Sequence, residues 1–364
     1  MNLSELDYDL PPERIAQHPL EERDASRLLL LERAAGARQD RRFRELPEIL
    51  RGDELVVLNN ARVLAARLFG RRAGLRAESP GRHNSQGGKF LQAPIEVLLV
   101  RRLGPETWEA LVRPGRKIQV GERIMFGQGE LEALVEGRGN YGLRILRFLP
   151  TSGFEASLAR LGHIPLPPYI KRSDEPLDRE RYQTVYASCG AAVAAPTAGL
   201  HFTPEILARL RRRGIEIAEV TLEVGLGTFE PVRAERIEDH NIHAEAYEIP
   251  EAAAAAIARA VRERRPVLAV GTTVVRALED AAEKRNNDET IPVPAGKAEA
   301  QILLYPGKPF RVVNQLLTNF HLPRSSLLAL VAAFAGREKV LAAYRHAVQA
   351  GYRFYSYGDC MLIR

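Results

Sequence analysis

The texture of the chain changes over residues 62–149, and this change constrains the fold more than any other feature of the sequence. Short β-prone runs follow one another here, separated by glycine turns and without a long helical pattern. Strands are predicted over I-E-V-L-L-V (95–100), W-E-A-L-V (108–112), R-I-M-F (123–126), L-E-A-L-V (131–135) and L-R-I-L-R-F (143–148). The segment G-R-G-N-Y-G (137–142) is typical of a hairpin turn. Residues 61–150 are therefore predicted to form an inserted all-β domain, a small barrel or sandwich.

Helical and extended patterns alternate on both sides of this insertion. A buried strand is expected over 55–58 and another over 267–270, and the segment 215–222 alternates imperfectly, which indicates a strand with a bulge. Helices are expected over 203–213, with Thr203 as the N-cap, and over 251–264, 273–284 and 325–349, the last interrupted near Gly336. A strand over 352–363 would place Arg353, Tyr355 and Tyr357 on one face. The predicted fold class is mixed α/β, with residues 1–60 and 151–364 forming the main domain.

Length and composition narrow the class of protein further. A chain of 364 residues suggests about two domains. The longest nearly apolar run, 327–335, is too short to cross a bilayer, which needs about 20 residues. The N-terminus is acidic and has no apolar leader, and Cys189 and Cys360 lie far apart without metal-ligand spacing. These features predict a cytoplasmic protein without a membrane span, with both cysteines structural.

A basic excess leaves two interpretations open. Lysine and arginine exceed aspartate and glutamate by six, and the isoelectric point is about 9.4. A stripe of arginines in the first quarter of the chain would suit phosphate groups, but an arginine-rich solvated surface explains it equally well. The stripe comprises Arg41, Arg42, Arg44, Arg51, Arg62, Arg67, Arg71, Arg72 and Arg76.

One glycine-hinged segment precedes a helix and carries polar side chains. In V-A-A-P-T-A-G-L-H-F-T (193–203), Thr197 and His201 come directly before the predicted helix start. Backbone N–H groups at a helix N-terminus favour an anion or a carboxylate, and the small residues leave room for a ligand. An ordinary tight turn entering a helix is the alternative.

Four ionisable residues gather in D-H-N-I-H-A-E (239–245). Asp239, His240, His243 and Glu245 fall within seven residues, enough for acid–base chemistry or for a metal. The metal interpretation is weaker, because no cysteine lies nearby and the histidine spacing is not that of helical zinc proteases. Hydrogen-bonded turn residues are the third interpretation.

Three further segments place polar groups beside glycines or helix starts. V-G-L-G-T-F-E-P-V (224–232), with Thr228, resembles a nucleotide-cradling loop, but neither a dinucleotide fingerprint nor a P-loop occurs in the chain. V-G-T-T-V-V-R (270–276) brings Thr272 and Thr273 to a helix start, and Arg276 could bind a carboxylate or form a surface ion pair with Glu279 or Asp280. L-T-N-F-H-L-P (317–323) offers Thr318, Asn319 and His321. Asn319 could hydrogen-bond a planar heterocycle, and Phe320 could stack on one or belong to the core.

Taken together, these segments resemble the S-adenosylmethionine:tRNA ribosyltransferase-isomerase family of queuosine biosynthesis. The likeness spans nearly the whole chain and includes Y-D-L-P-P-E-R-I-A-Q (8–17), R-D-A-S-R-L-L (23–29), L-N-N-A-R-V (58–63), A-A-P-T-A-G-L-H-F-T (194–203), V-G-L-G-T-F-E-P-V (224–232), G-T-T-V-V-R-A-L-E (271–279), T-N-F-H-L-P-R-S-S-L (318–327) and Y-R-F-Y-S-Y-G-D-C-M-L-I (352–363). Ala61, Ser326 and Cys360 depart from the family pattern, and the polar loop 78–89 resembles an insertion.

The resemblance implies a barrel-like α/β main domain particular to the family and an unusual reaction. The ribosyl group of S-adenosylmethionine is transferred to a 7-aminomethyl-7-deazaguanine base at the wobble position of tRNA and isomerised, giving epoxyqueuosine-tRNA, adenine and methionine. S-adenosylmethionine is consumed as a substrate, so neither a cofactor nor a metal is expected, and the family suggests a monomer. A non-catalytic RNA-binding protein and a nucleoside hydrolase are the rival interpretations.

The reaction needs a base, an acid and shielding from water, which leads to residue-level hypotheses. His240 or His243 is the expected acid or base, oriented by Asp239 or Glu245. The other assignments are to substrate binding: Thr197, His201, Thr228 and Thr272 around the nucleoside, Arg276 on the methionine carboxylate, Asn319 and His321 near the base, and Tyr355, Tyr357 and Asp359 at the border of the cleft.

Overall fold

The computed structural model describes residues 1–73, 94–115, 118–149, 153–223, 225, 234–240, 242–285 and 291–364. These residues form two compact units. The first, the main unit, contains Met1–Arg62, Pro167–Ser173 and Glu180–Arg364, and the second, the barrel unit, contains Val63–Leu166 and Asp174–Arg179. The barrel unit thus runs past residue 150, where the sequence pattern suggested its end. The loop 78–89 and Arg76 lie outside the described residues.

Short strands and helices of moderate length make up both units. The strands are β1 (Arg27–Leu31), β2 (Arg38–Arg42), β3 (Leu55–Asn59), β4 (Ala61–Val63), β5 (Arg67–Ala73), β6 (Pro94–Arg102), β7 (Thr107–Arg113), β8 (Arg123–Phe126), β9 (Leu131–Arg138), β10 (Arg144–Phe148), β11 (Cys189–Ala192), β12 (Glu216–Leu222), β13 (Glu245–Ile249), β14 (Val267–Val270), β15 (Gly296–Ala300), β16 (Gln315–Asn319) and β17 (Cys360–Ile363). The helices are α1 (Leu46–Ile49), α2 (Phe154–Leu161), α3 (Asp178–Arg181), α4 (Pro204–Arg212), α5 (Glu251–Arg262), α6 (Thr272–Lys284), α7 (Ser326–Ala335) and α8 (Arg337–Gln349).

A nine-stranded sheet organises the main unit. The order of its strands is β15-β13-β12-β3-β14-β16-β17-β1-β2. The main unit, which was expected to be barrel-like, is therefore built on a sheet whose end strands are β15 and β2. The four central strands β12, β3, β14 and β16 run parallel, whereas β17 is antiparallel to β16. The carboxyl ends of the parallel strands and the start of β17 therefore meet at one edge. In α/β sheets, ligands bind at this edge.

Apolar residues on both faces explain the texture of the central strands. Leu55 and Val57 of β3 pack in one core cluster, and Val56 and Leu58 pack in the other. The alternation of apolar residues along β12 is imperfect because this strand also has a core on both faces. Ile217 packs against one cluster, and Ala218 belongs to the other. The pairing of β12 with β3 is continuous in register from residue 216 to 220, so the predicted bulge is wrong for these pairs.

The helix boundaries follow the capping signals of the sequence. The Thr203 side chain accepts a hydrogen bond of 3.3 Å from the backbone N–H of Ile206 and caps α4. Ser325 caps α7 in the same way, and Gly336, with φ +91°, separates α7 from α8 as predicted. α6 and α8 have 13 residues each. Within the described ranges, no helix is long and apolar enough to cross a membrane.

The barrel unit is a closed, antiparallel barrel of six strands, in the order β10-β7-β6-β5-β8-β9. All five predicted strands are present, and R-I-M-F (123–126) coincides with β8. The short turn after β9 returns the chain into β10, which confirms the predicted hairpin. Buried and less buried residues alternate along β7 and β9, as expected when one face of each strand points into a filled barrel.

The prediction for the C-terminal segment is wrong over 352–359. Only Cys360–Ile363 forms a strand, and the residues before it form a turn in which Tyr355 has φ +71°. The N–H of Gly358 donates to the carbonyl of Tyr355 at 2.9 Å, and the carboxylate of Asp359 accepts from the N–H of Arg353 at 2.8 Å. A period-two assignment of faces does not apply to such a turn.

The arginines of the proposed phosphate stripe are largely paired within the protein. Arg44 lies 2.7 Å from Glu22, Arg51 lies 2.8 Å from Asp53 and Arg72 lies 2.6 Å from Glu122, measured between side-chain nitrogen and oxygen atoms. Arg41 pairs with Glu45 and Arg67 with Glu96. Five of the nine arginines are thus neutralised by neighbours, which favours the interpretation as a solvated, ion-paired surface.

Candidate functional site

A cavity of about 310 Å³ opens in the main unit at the carboxyl edge of the sheet. It is lined by residues 194–198, 271–273, 318–327 and 355–356 and by Tyr169. The lining includes the end of the parallel strand β16 and the residues that follow β14. Three segments that the sequence analysis singled out, at 193–203, 270–276 and 317–323, therefore converge on one space. The volume is in the range of small-molecule sites.

Two glycines allow the backbone of these segments to approach closely. Gly271 has φ +97° and directly precedes α6, so Thr272 and Thr273 stand at a helix N-terminus on the cavity wall. Gly199 lies in the 3₁₀ helix Thr197–His201, where an added Cβ would come within 2.0 Å of the Tyr186 hydroxyl. Any larger residue at position 199 would force either the Tyr186 side chain or the turn that carries Thr197 to move.

His201 is buried beside the cavity and is held in one tautomer. Its Nδ1 lies 2.8 Å from Ser26 Oγ, and its Nε2 lies 3.3 Å from Asn319 Nδ2. An amide nitrogen can only donate, so His201 Nε2 accepts and the proton resides on Nδ1. Burial, reinforced by Arg23 and Arg353, lowers the pKa of His201 to about 3. His201 is thus neutral near pH 7 and accepts a hydrogen bond from Asn319.

Asn319 ends β16 and turns its amide nitrogen towards the protein. Nδ2 donates to the backbone carbonyl of Tyr355 at 3.0 Å and lies 3.4 Å from that of Asp359. Oδ1 is buried, and it has no hydrogen-bond partner among the described residues. The side chain therefore has an acceptor that the described part of the chain leaves unused.

His321 lies in the cavity wall and is neutral as well. Its Nε2 lies 2.8 Å from Thr318 Oγ1, which donates to the backbone carbonyl of Asn319 at 3.1 Å. Because the hydroxyl proton is used in this way, Nε2 of His321 carries the ring proton. Burial lowers the pKa of His321 to about 3. The Tyr8 hydroxyl donates to the carbonyl of His321 and fixes the backbone there.

An aromatic pair that the sequence did not reveal completes the cavity wall. The rings of Tyr169 and Tyr355 lie 4.3 Å apart between centroids, tilted by 32°. The Tyr169 hydroxyl is 2.6 Å from Ser356 Oγ. The Tyr355 hydroxyl is buried without a hydrogen-bond partner among the described residues, and burial raises its pKa. Only the proline run P-L-P-P-Y (165–169) marks Tyr169, and it carries no functional signal.

Arg276 is placed differently from the prediction. It is 5% exposed and forms a buried ion pair with Glu245, which is 4% exposed. Its guanidinium also donates to the carbonyls of Ala300 at 3.1 Å and His243 at 3.3 Å. Arg276 does not belong to the described cavity lining, and the surface pair with Glu279 or Asp280 is not formed. The carboxylate that it binds in this structure is that of Glu245, which gives no support to the prediction that it binds a substrate carboxylate.

The segment 239–245 lies beside α6 and outside the described cavity lining. Asp239 ends a short 3₁₀ turn and is exposed, and His240 and His243 are half-buried. The carbonyl of His243 and the carboxylate of Glu245 are both held by Arg276, one turn into the helix whose first residues line the cavity. Within the described ranges, no group of three or more histidine, cysteine, aspartate or glutamate side chains could hold a metal ion.

Three other predicted site residues complete the comparison. Tyr357 packs edge-on against Tyr182 at 5.8 Å, and it lines a small recess beside His201 instead of the main cavity. Asp359 accepts backbone hydrogen bonds from Arg27 and Arg353, both at 2.8 Å, and holds the turn that carries Tyr355. Neither residue is part of the described cavity lining, and Asp359 is used to hold the turn. Thr228 lies outside the described residues.

The fold and the site define a class: an α/β enzyme with a separate barrel unit and a cleft of nucleoside size, walled by neutral polar groups and aromatic rings. The chain belongs to the queuosine biosynthesis protein family, whose model matches residues 3–363. It is similar to proteins named S-adenosylmethionine:tRNA ribosyltransferase-isomerase from Solibacter usitatus (53% identical) and Moorella thermoacetica (51% identical), each covering 100% of both chains. The solved structure of an S-adenosylmethionine tRNA ribosyltransferase from Thermotoga maritima is 35% identical and covers 99% of this chain and 100% of its own, with a TM-score of 0.53.

Proposed function

We propose that this protein transfers the ribosyl group of S-adenosylmethionine to a 7-aminomethyl-7-deazaguanine base of tRNA and isomerises it. The products are epoxyqueuosine-tRNA, adenine and methionine, and S-adenosylmethionine is a substrate and not a cofactor. One observation carries the proposal: three of the polar segments shared with the family converge on one cavity of about 310 Å³, in a chain that matches the named relatives over its full length.

The cavity wall is suited to binding and shielding. Burial lowers the pKa of His321, so its ring neither gains nor loses a proton near pH 7. Burial also raises the pKa of the Tyr355 hydroxyl, which therefore stays protonated. These groups keep a fixed hydrogen-bonding pattern during the reaction. The faces of the Tyr169 and Tyr355 rings favour a sulfonium cation, because aromatic faces attract positive charge. They also exclude water from the reactive intermediate.

Different polar groups are proposed to contact different parts of S-adenosylmethionine. Thr197 and Thr272 are proposed to contact the nucleoside, and Thr228 retains this assignment. The N-terminus of α6, with the hydroxyl of Thr273, replaces Arg276 as the proposed site of the methionine carboxylate, since helix N-termini favour anions. His201 acts through Asn319 and is a positioning residue.

Proton transfer is proposed to come from the segment 239–245. Burial lowers the pKa of His321, the histidine of the described cavity lining, to about 3. His240 and His243 are half-buried and lie on a segment that Arg276 fastens to α6. Asp239 or Glu245 would orient the imidazole. Arg276 then acts as a positioning residue for the acid–base segment, which explains why a cation is buried there with Glu245.

The test is mass spectrometry of nucleosides after incubation with S-adenosylmethionine and tRNA that carries the aminomethyl-deazaguanine base. Epoxyqueuosine formed with equimolar adenine and methionine is expected. Adenine without a modified nucleoside would indicate a nucleoside hydrolase. Binding of tRNA without either product would indicate a non-catalytic RNA-binding protein.

Matched histidine variants test the assignment of the acid and base. His240→Ala or His243→Ala should lower turnover by about 100-fold or more, because general acid–base catalysis contributes roughly that much. Affinity for S-adenosylmethionine should persist in the variant. His346→Ala is the control, since His346 pairs with Asp40 at 3.0 Å and is not part of the cavity lining. Unchanged turnover in both His240→Ala and His243→Ala would contradict the assignment.

The remaining proposals concern the working form and location of the protein. We propose that it acts as a monomer in the cytoplasm, where its tRNA substrate is found. Light scattering during size-exclusion chromatography should give a mass near the 40.5 kDa of one chain. A mass of twice this value or more would contradict the monomer.

A further inference from the structure

We infer that Asn319 and Tyr355 recognise the adenine ring of S-adenosylmethionine by its 6-amino edge and exclude 6-oxo purines. This inference rests on the proposed function and specifies how the same cavity selects its nucleoside. Two polar side-chain atoms of the cavity-lining residues, Asn319 Oδ1 and the Tyr355 hydroxyl, are buried without a hydrogen-bond partner in the part of the chain that the structure describes. Burying such groups unpaired costs about 1–3 kcal/mol each, so they require an explanation.

The orientation of the Asn319 amide is fixed by its surroundings. Its nitrogen faces two backbone carbonyls, those of Tyr355 and Asp359, which can only accept. Rotating the amide by half a turn would set its oxygen against these carbonyl oxygens. His201 completes the lock, since Ser26 fixes its Nδ1 proton and leaves Nε2 to accept from the amide. Asn319 therefore presents an acceptor to a ligand and cannot present a donor.

Tyr355 supplies the complementary donor. Burial keeps its hydroxyl protonated, so an O–H group is available to donate. The residue is held at φ +71°, a left-handed conformation that is unfavourable for a large side chain, and non-glycine residues in this region cluster at functional sites. The same backbone carbonyl of Tyr355 anchors the amide of Asn319, so the two residues are fixed relative to each other.

An acceptor and a donor on residues that line the same cavity match one edge of adenine. The 6-amino group of adenine donates, and the neighbouring ring nitrogen accepts. A 6-oxo purine carries a carbonyl oxygen at the same carbon, which would face Asn319 Oδ1 as acceptor against acceptor. Leaving a buried hydrogen-bonding group without its partner costs about 1–3 kcal/mol, which corresponds to roughly 5- to 150-fold in affinity.

The first experiment compares S-adenosylmethionine with S-inosylmethionine, its 6-oxo counterpart, by isothermal titration calorimetry on the full chain. S-adenosylmethionine should bind about tenfold more tightly or better. Equal affinity for the two ligands would overturn this inference alone and leave the proposed function standing. Absence of binding by S-adenosylmethionine would overturn both. The production of epoxyqueuosine, measured separately, therefore distinguishes the two failures.

The second experiment separates ligand binding from structure with two matched substitutions. Tyr355→Phe removes a hydroxyl that has no hydrogen-bond partner among the described residues, so the melting temperature of the free protein should stay the same or rise, while S-adenosylmethionine affinity falls about tenfold. Tyr352→Phe should show the opposite pattern. Its hydroxyl donates to Asp40 away from the cavity, so stability should fall and affinity should stay unchanged. A lower melting temperature with unchanged affinity in Tyr355→Phe would show that the hydroxyl is structural and would overturn the inference.

Discussion

Lowering the pH from 7 to 5 should destabilise this protein through His201, and substitution of this residue should remove a defined part of the loss. His201 is 3% exposed, accepts from Asn319 through Nε2 and donates to Ser26 through Nδ1. Protonation would add a second proton to the ring, at Nε2, where it would face the amide hydrogens of Asn319. Burial and the neighbouring Arg23 and Arg353 oppose the charge further, so the pKa of His201 falls to about 3.

The direction and size of the effect follow from proton linkage. An unfolded histidine has a pKa of about 6.5, so between this value and about 3 the unfolded chain binds one proton more than the folded chain. The stability contribution is complete above pH 6.5 and is lost as the pH falls. Integration from pH 7 to pH 5 gives a loss of about 2 kcal/mol in the free energy of unfolding. This figure stays the same for any folded pKa well below 5.

Urea unfolding followed by far-ultraviolet circular dichroism measures the effect at both pH values. Tryptophan fluorescence would not serve, because the single tryptophan, Trp108, belongs to the barrel unit. His201→Asn keeps a donor for Ser26 but does not titrate, so between pH 7 and pH 5 it should lose about 2 kcal/mol less than the wild type. The comparison cancels the titration of other groups. Equal losses in the two proteins would refute the reasoning, as would a His201 titration near pH 6.5 observed by NMR.

Three further substitutions test the packing around the site, each by urea unfolding at pH 7. Arg276→Ala should cost about 3–5 kcal/mol because it removes the cation from a buried ion pair and leaves the negative charge of Glu245 buried, and addition of Glu245→Ala should recover part of the loss. Gly199→Ala should cost about 1–3 kcal/mol, since its Cβ would meet the Tyr186 hydroxyl, and Tyr186→Phe in the same chain should reduce this cost. Thr203→Ala should cost about 1 kcal/mol through the lost N-cap. A neutral Arg276→Ala, a Gly199→Ala unaffected by Tyr186→Phe, or an unchanged Thr203→Ala would contradict the corresponding contact.

Local patterns predicted the elements of the fold well because their causes are local. The strand 267–270 and the strand 123–126 coincide with β14 and β8, since burial on one or both faces leaves a direct mark on the order of apolar residues. The error at 352–359 has a distant cause. The turn depends on Asp359, whose carboxylate binds a backbone N–H of Arg27 from the other end of the chain. No local pattern records such a contact.

The site shows the same division between local and distant causes. Thr197, Thr272, Asn319 and His321 were recognisable because each follows a strand or precedes a helix next to small residues, and all four line the cavity. Arg276 occupies a similar position on α6, but it pairs with Glu245 at the start of β13 and does not belong to the described cavity lining. Tyr169 was missed for the converse reason, because its importance arises only where its ring meets Tyr355.

The protonation states in the cavity wall fit the charge of the proposed substrate. S-adenosylmethionine carries a positive sulfonium, and a protonated histidine beside it would repel it strongly in a site shielded from water. Burial lowers the pKa values of His201 and His321 to about 3, so both rings stay neutral where the cation would bind. The same neutrality makes these histidines unsuitable for proton transfer at neutral pH. We therefore expect binding and acid–base chemistry to reside on different segments, and the segment 239–245, which Arg276 fastens to α6, is the proposed site of the acid–base chemistry.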